Sequence, residues 1–133
     1  MNVTRIFSLV LLSVSLVFQG CALLAVGAGV AAGTGAMVYI EGEFHTAYAS
    51  SLDRTWDASL ESVKDLDFRI IATEKKETEG NIEAKRIGGK KVKIALSPAG
   101  PDTTFVKVRV GIFGDEMASR VICDRIASRL GNM

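Results

Sequence analysis

Residues 91–112 read KVKIALSPAGPDTTFVKVRVGI, and this stretch decides the fold class. Apolar residues alternate with charged ones over 91–96, and the alternation resumes over 106–112 after a Pro- and Gly-rich segment at 98–102. A period of two places apolar side chains on one face of a strand and charged side chains on the other. The stretch therefore predicts two strands joined by a loop at 98–102, in an antiparallel sheet covered on one side only.

Three further segments show the same alternation and predict three more strands. They are residues 43–48, 68–72 and 82–85. Residues 79–81 (Glu-Gly-Asn) and Gly88-Gly89 are typical of turns, so they predict the chain reversals on either side of the last of these strands. The sheet is therefore expected to contain five strands.

Apolar residues at helical spacing predict two amphipathic helices. The first follows the possible N-caps Ser50 and Ser51 and ends near Asp67, a residue type that tolerates left-handed geometry. The second runs from Asp115 to Leu130 and is capped by Gly114 or Asp115. The predicted apolar stripes are Leu52, Trp56, Leu60 and Val63 in the first helix, and Ala118, Ile122, Ile126 and Leu130, widened by Met117 and Val121, in the second.

These elements follow one another in the order β-α-β-β-β-β-α. Two helices on one face of an antiparallel sheet form a two-layer sandwich of the α+β class. We expect this domain to occupy residues 41–133.

The N-terminal part of the chain has a different character. Arg5 is the only charged residue among the first 40, and Ile6 to Phe18 form an uncharged apolar run. A run of this length matches the core of a secretory signal peptide and is shorter than the ~20 residues that span a bilayer. Residues 1–20 are therefore interpreted as a signal peptide.

The run ends in Phe18-Gln19-Gly20-Cys21, which resembles the lipobox of bacterial lipoproteins. The resemblance implies cleavage after Gly20 and attachment of lipid to Cys21. Ala22 follows the cysteine, and the absence of Asp there implies an outer-membrane lipoprotein that faces the periplasm. The alternative is that Cys21 is a small apolar residue of an uncleaved membrane helix.

Residues 21–40 form a second uncharged stretch with two alternative interpretations. Gly27, Gly29, Gly33 and Gly35 include a pair four residues apart, a spacing that lets membrane helices approach closely. This favours a self-associating helix next to the lipid. Glycines also weaken helices, which is typical of a flexible tether. The sequence leaves both open.

Composition and residue types argue against several function classes. A net charge of +1 and 7% aromatic residues do not suit a nucleic-acid partner. His45 is the only histidine, whereas a metal site needs three or four ligands. Ser50 and Ser51 suit helix capping better than nucleophilic catalysis, which requires a neighbouring base. We therefore expect a protein that is not an enzyme and carries no cofactor or metal.

Three other features have ordinary structural interpretations. If Cys21 carries lipid, Cys123 has no partner within the chain and is expected to be buried and unpaired, although an intermolecular disulfide stays open. Residues 113–116 (Phe-Gly-Asp-Glu) lack the glycines of a phosphate-binding loop. The predicted hairpin is rich in basic residues, which suit either a solvated hairpin or contact with anionic headgroups. These residues are Lys85, Arg86, Lys90, Lys91 and Lys93.

The whole pattern resembles a family of small bacterial lipoproteins whose domain has no assigned function. The segments that carry this resemblance are the lipobox, the Gly/Ala-rich stretch that follows it, and residues 52–58, 65–68, 98–104 and 109–116. The resemblance implies a lipid-anchored, non-enzymatic domain that binds other proteins or has a structural role, with the membrane and another envelope protein as partners. The alternative is a domain that binds a lipid or small ligand in a cavity of about 300 Å³ or more between sheet and helices. The partner and the oligomeric state stay open.

Overall fold

The computed structural model describes residues 37–132, which form six strands and two helices. The predicted signal peptide, Gly20, Cys21 and the four glycines of the second apolar stretch lie outside these residues. The elements in chain order are β1 (Val38–Ile40), β2 (Glu43–Tyr48), α1 (Leu52–Asp65), β3 (Arg69–Lys75), β4 (Gly80–Lys85), β5 (Lys91–Gly100), β6 (Thr103–Val110) and α2 (Glu116–Gly131).

The predicted α+β sandwich is confirmed. The strands form one antiparallel sheet in the order β1-β2-β6-β5-β4-β3. Both helices pack on the same face, α1 mainly on β5 and β3 and α2 on β2 and β6. The core between the layers is built from the inward-facing side chains of the alternating strands and from the helix stripes: Phe44, Tyr48, Trp56, Val63, Ile82, Val92, Ile94, Leu96, Val106, Val108, Val110, Ile122 and Ile126.

β1 is an addition to the predicted order, and it lies within the stretch 21–40. It pairs with β2 in the register Val38↔His45 and Ile40↔Glu43. The Tyr39 and Phe44 rings lie 5.7 Å apart between centroids. The sheet thus begins before the expected boundary at Glu41, because three residues are too few for alternation to stand out in an apolar sequence.

The strands β5 and β6 form the predicted central hairpin, but the loop between them is shorter than predicted. Val92 pairs with Val110, and Leu96 pairs with Val106. The loop predicted at 98–102 is wrong in extent, since β5 continues to Gly100. Pairing between β4 and β5 ends at Leu96. Pro98 therefore lies where β5 has a neighbour on one side only, a position that tolerates its missing N–H.

The turn predicted at 79–81 is also misplaced, because Gly80 and Asn81 belong to β4 and the reversal lies at 76–79. A Cβ atom at Gly80 would lie 2.7 Å from two ring atoms of Trp56. Gly80 is therefore required for close packing against α1 rather than for a turn.

The N-terminal cap of each helix is one of the two residues predicted for it, Ser51 for α1 and Asp115 for α2. The Ser51 hydroxyl accepts from the Arg54 N–H, whereas Ser50 is buried. Asp67, just beyond α1, has the left-handed φ of +58°. The Asp115 carboxylate accepts from the Ala118 N–H at 3.0 Å and caps α2.

The apolar stripe of α2 is narrower than predicted. Met117 is 79% exposed and Val121 is half-exposed, whereas Ile122 and Ile126 are buried. The buried residues of α2 are Ser119, Ile122, Cys123 and Ile126. Met117 and Val121 lie about 100° round the helix from Ala118 and Ile122, on the side away from Ser119 and Cys123. Ile112, predicted to continue the alternation of β6, is also exposed because the strand ends at Val110.

Polar contacts fix the helices to each other and to the sheet. The Tyr48 hydroxyl donates to the Cys123 carbonyl at 2.7 Å within the core. Arg129 donates from Nε to Asp65 at 2.7 Å and from Nη1 to Glu61 at 3.1 Å. The hydrogen bond from Arg129 lowers the pKa of the Asp65 carboxyl below its ordinary value. The helix layer is therefore held in one arrangement on the sheet.

Candidate functional site

The residues that were considered for catalysis do not come together. His45 Nε2 lies 3.6 Å from Glu43 Oε2 on the sheet face away from the helices. Ser50 and Ser51 stand at the start of α1, and Ser51 serves as its cap. Over residues 37–132, no group of three or more His, Cys, Asp or Glu side chains could hold a metal ion.

Cys123 is buried in α2, as predicted. Its exposure is 0%, and burial raises the pKa of its thiol to about 12. A thiol in this environment stays protonated at neutral pH and is a poor nucleophile.

We expect Cys123 to resist thiol reagents until the domain unfolds. In a Cys21→Ser chain, where Cys123 is the sole cysteine, reaction with a chromogenic disulfide at neutral pH should be at least about 100-fold slower in buffer than in denaturant. Similar rates under both conditions would contradict the burial.

Burial raises the pKa of the Cys123 thiol in the folded state above its ordinary value of 9.0. The contribution of this thiol to the free energy of unfolding should therefore be lost as the pH rises above 9.0.

The uncovered face of the sheet is polar and carries ordered ion pairs. Lys91 Nζ lies 2.9 Å from Glu83 Oε2, and Lys93 contacts the other oxygen of the same carboxylate at 3.8 Å. The hydrogen bond from Lys91 lowers the pKa of Glu83. Arg109 lies 3.8 Å from Glu43. This face, which we call the open face, therefore presents fixed charges of both signs.

Two clefts are formed on the open face rather than between the layers. Their volumes are about 320 and 460 Å³. Ala95 and Lys107 are paired in register near the centre of this face, and Phe105 beside them is half-exposed. Core side chains such as Ile94 and Val108 are almost completely buried.

A second surface is formed where three loops meet at one end of the sheet. These are residues 41–42, 86–90 and 111–115, which we call the loop end. The Gly111 N–H donates to the Lys91 carbonyl at 2.8 Å, and Lys90 Nζ lies 2.8 Å from Asp115. The backbones of Gly42 and Gly114 are in direct contact. The three loops thus support one another.

The loop end displays large apolar side chains whose exposure the sequence did not predict. Ile87 is 85% exposed, Ile112 is 83% exposed and Phe113 is 93% exposed. A groove of about 460 Å³ lies between the hairpin 86–90 and the loop 111–115. The available signal was the position of Ile87 and Phe113 next to turn glycines, where an apolar side chain has no strand or helix face to bury.

The matched family spans residues 5–129 and is described as a protein of unknown function. The chain belongs to the DUF3568 family. This match covers the N-terminal apolar part as well as the folded domain, so the two parts form one family unit. No curated protein matches the chain.

The described part of this DUF3568 chain contains no helix that is both long and apolar enough to cross a membrane. Its helices α1 and α2 instead bury one face each against the sheet. The DUF3568 domain leaves the open face and the loop end exposed.

Proposed function

We propose that this DUF3568 protein is a non-enzymatic lipoprotein of a bacterial cell envelope, anchored through Cys21, whose domain binds another envelope protein. The observation that carries the proposal is Phe18-Gln19-Gly20-Cys21 at the end of the uncharged run 6–18. It lies ahead of a domain that has its own core. The family match over 5–129 supports treating both parts as one functional unit.

The anchor has a simple physical basis. Each buried CH₂ of an acyl chain contributes about 0.8 kcal/mol, so two chains on one cysteine hold a protein stably on a bilayer. Ala22 after the cysteine favours the outer membrane, with the domain in the periplasm.

The open face is the surface that best suits a protein partner. It combines the central Ala95 and the half-exposed Phe105 with the ion pairs of Glu43 and Glu83. Charges held in place by neighbours give specificity and orient an approaching partner. A flat sheet face with shallow clefts of this kind fits a folded protein surface.

Site-specific photocrosslinking in intact cells tests the partner. A photoreactive amino acid in place of Lys107 lies at the centre of the open face, and one in place of Asp57 lies on the exposed side of α1 as the matched control. We expect a discrete adduct in the envelope fraction from position 107 and none from position 57. Equal adducts from both positions, or none from position 107, would contradict binding through the open face.

A further inference from the structure

We infer that the loop end docks on the anionic surface of the bilayer that holds the anchor, with Ile87, Ile112 and Phe113 entering the headgroup region. This inference rests on the proposed anchoring through Cys21. Soluble surfaces seldom expose a cluster of large apolar side chains without an interaction for it. Aromatic and aliphatic side chains that project from a domain match the depth of the boundary between headgroups and acyl chains.

The apolar side chains are held outward by the backbone. Arg109 Nη2 donates to the Ile112 carbonyl at 2.6 Å. Gly111 and Gly114 have left-handed φ angles of +77° and +82° on either side of the pair 112–113. The ion pair between Lys90 and Asp115 closes the loop against the hairpin. The surface is therefore formed before it meets a membrane.

The charge around the apolar cluster suits anionic lipid. Residues 85–91 contain four basic residues and no acidic one. Within residues 37–132, Lys85 and Arg86 form no ion pair, whereas Lys90 and Lys91 pair with Asp115 and Glu83. Glu41 and Glu116 are the other acidic groups near these loops. Unpaired cations beside an apolar cluster are attracted to phosphatidylglycerol and similar headgroups.

The position of the anchor lets the loop end reach the bilayer. The described chain starts at Met37, and β1 leads from there directly into the turn 41–42 of the loop end. The five residues 37–41 extend over at most about 18 Å. Residues 22–36 between Cys21 and Met37 extend over at most about 54 Å. These lengths let the loop end reach the bilayer that holds the anchor.

Local fluorescence quenching in vesicles tests the docking with the full acylated chain. An environment-sensitive dye is attached in Ile87→Cys and Phe113→Cys variants, and in Thr78→Cys as the control. Thr78 is exposed in the turn 76–79 at the opposite end of the sheet. The vesicles contain spin-labelled lipid in phosphatidylcholine, with or without phosphatidylglycerol.

We expect quenching at positions 87 and 113 to exceed that at 78 several-fold in vesicles with phosphatidylglycerol. The difference should fall when Lys85 and Arg86 are both replaced by Glu. Equal quenching at all three positions would overturn the docking. A difference that persists without phosphatidylglycerol would overturn the attraction to anionic lipid.

The same samples separate this inference from the anchor. The mass of the N-terminal peptide shows whether Cys21 carries acyl chains. An acylated chain whose dyes at 87 and 113 are quenched no more than the dye at 78 overturns the docking and leaves the anchor standing. An unacylated chain overturns the anchor and with it the premise of the docking.

Discussion

Replacing Gly114 by alanine is expected to lower the free energy of unfolding by about 3 kcal/mol or more. A Cβ atom at this position would run into the backbone of Gly42, which belongs to a different loop and has no flexible side chain to move aside. The φ angle of +82° adds the cost of left-handed backbone for an L side chain. Urea unfolding followed by Trp56 fluorescence measures the loss.

Gly111→Ala is the matched control for this substitution. Gly111 lies in the same loop with a φ of +77°, but a Cβ atom there would meet nothing within 4 Å. We expect a loss of about 1–2 kcal/mol, which is the backbone cost alone. If both variants lost the same free energy, the close contact between the loops 41–42 and 111–115 would be contradicted.

Trp56→Ala is the other substitution with a large expected effect, a loss of about 3–5 kcal/mol. The Trp56 side chain is 7% exposed and packs between α1 and the sheet at Gly80. Its removal leaves a cavity that neighbouring strands cannot fill by moving. Because Trp56 is the only tryptophan, circular dichroism is the suitable measurement.

Gly80→Ala tests how closely Gly80 packs against the Trp56 ring. Alone it should cost about 1–3 kcal/mol, since the added methyl group overlaps the Trp56 ring. In the Trp56→Ala background the methyl group has room, so its cost should fall by at least about 1 kcal/mol. Additive losses in the double variant would show that the two residues do not constrain each other.

The sequence predicted the parts of the fold that depend on short-range pattern. Alternation in 91–96 and 106–112 predicted the central strands and the helix-covered face, and Gly114 and Asp115 indicated the start of α2. The predictions were wrong where contacts between residues far apart in the sequence determine the local structure. Gly80 resembles a turn residue until Trp56 is known to lie against it, and Ile112 resembles a strand residue until Gly111 turns the chain away.

The candidate surfaces were predictable to different degrees. Alternation predicted an open, charged sheet face, but the ion pairs of its lysines with Glu83 were not predicted. The loop end was not predicted, because Ile87 and Phe113 are separated by a whole hairpin in the sequence and only the folded sheet places their loops together. The basic residues of the hairpin 86–90 and its flanks suit either a solvated hairpin or contact with anionic headgroups, and the sequence alone does not show the apolar side chains that lie beside them.

The central claim is that Cys21 holds the protein in the envelope, and its acylation is the most direct measurement. We expect the N terminus of the mature protein to be Cys21 with the mass of attached acyl chains, and the protein to fractionate with membranes. Cys21→Ser should block acylation and signal-peptide cleavage, which increases the apparent size of the chain. A Cys21→Ser protein that keeps both its size and its membrane fractionation would contradict the account.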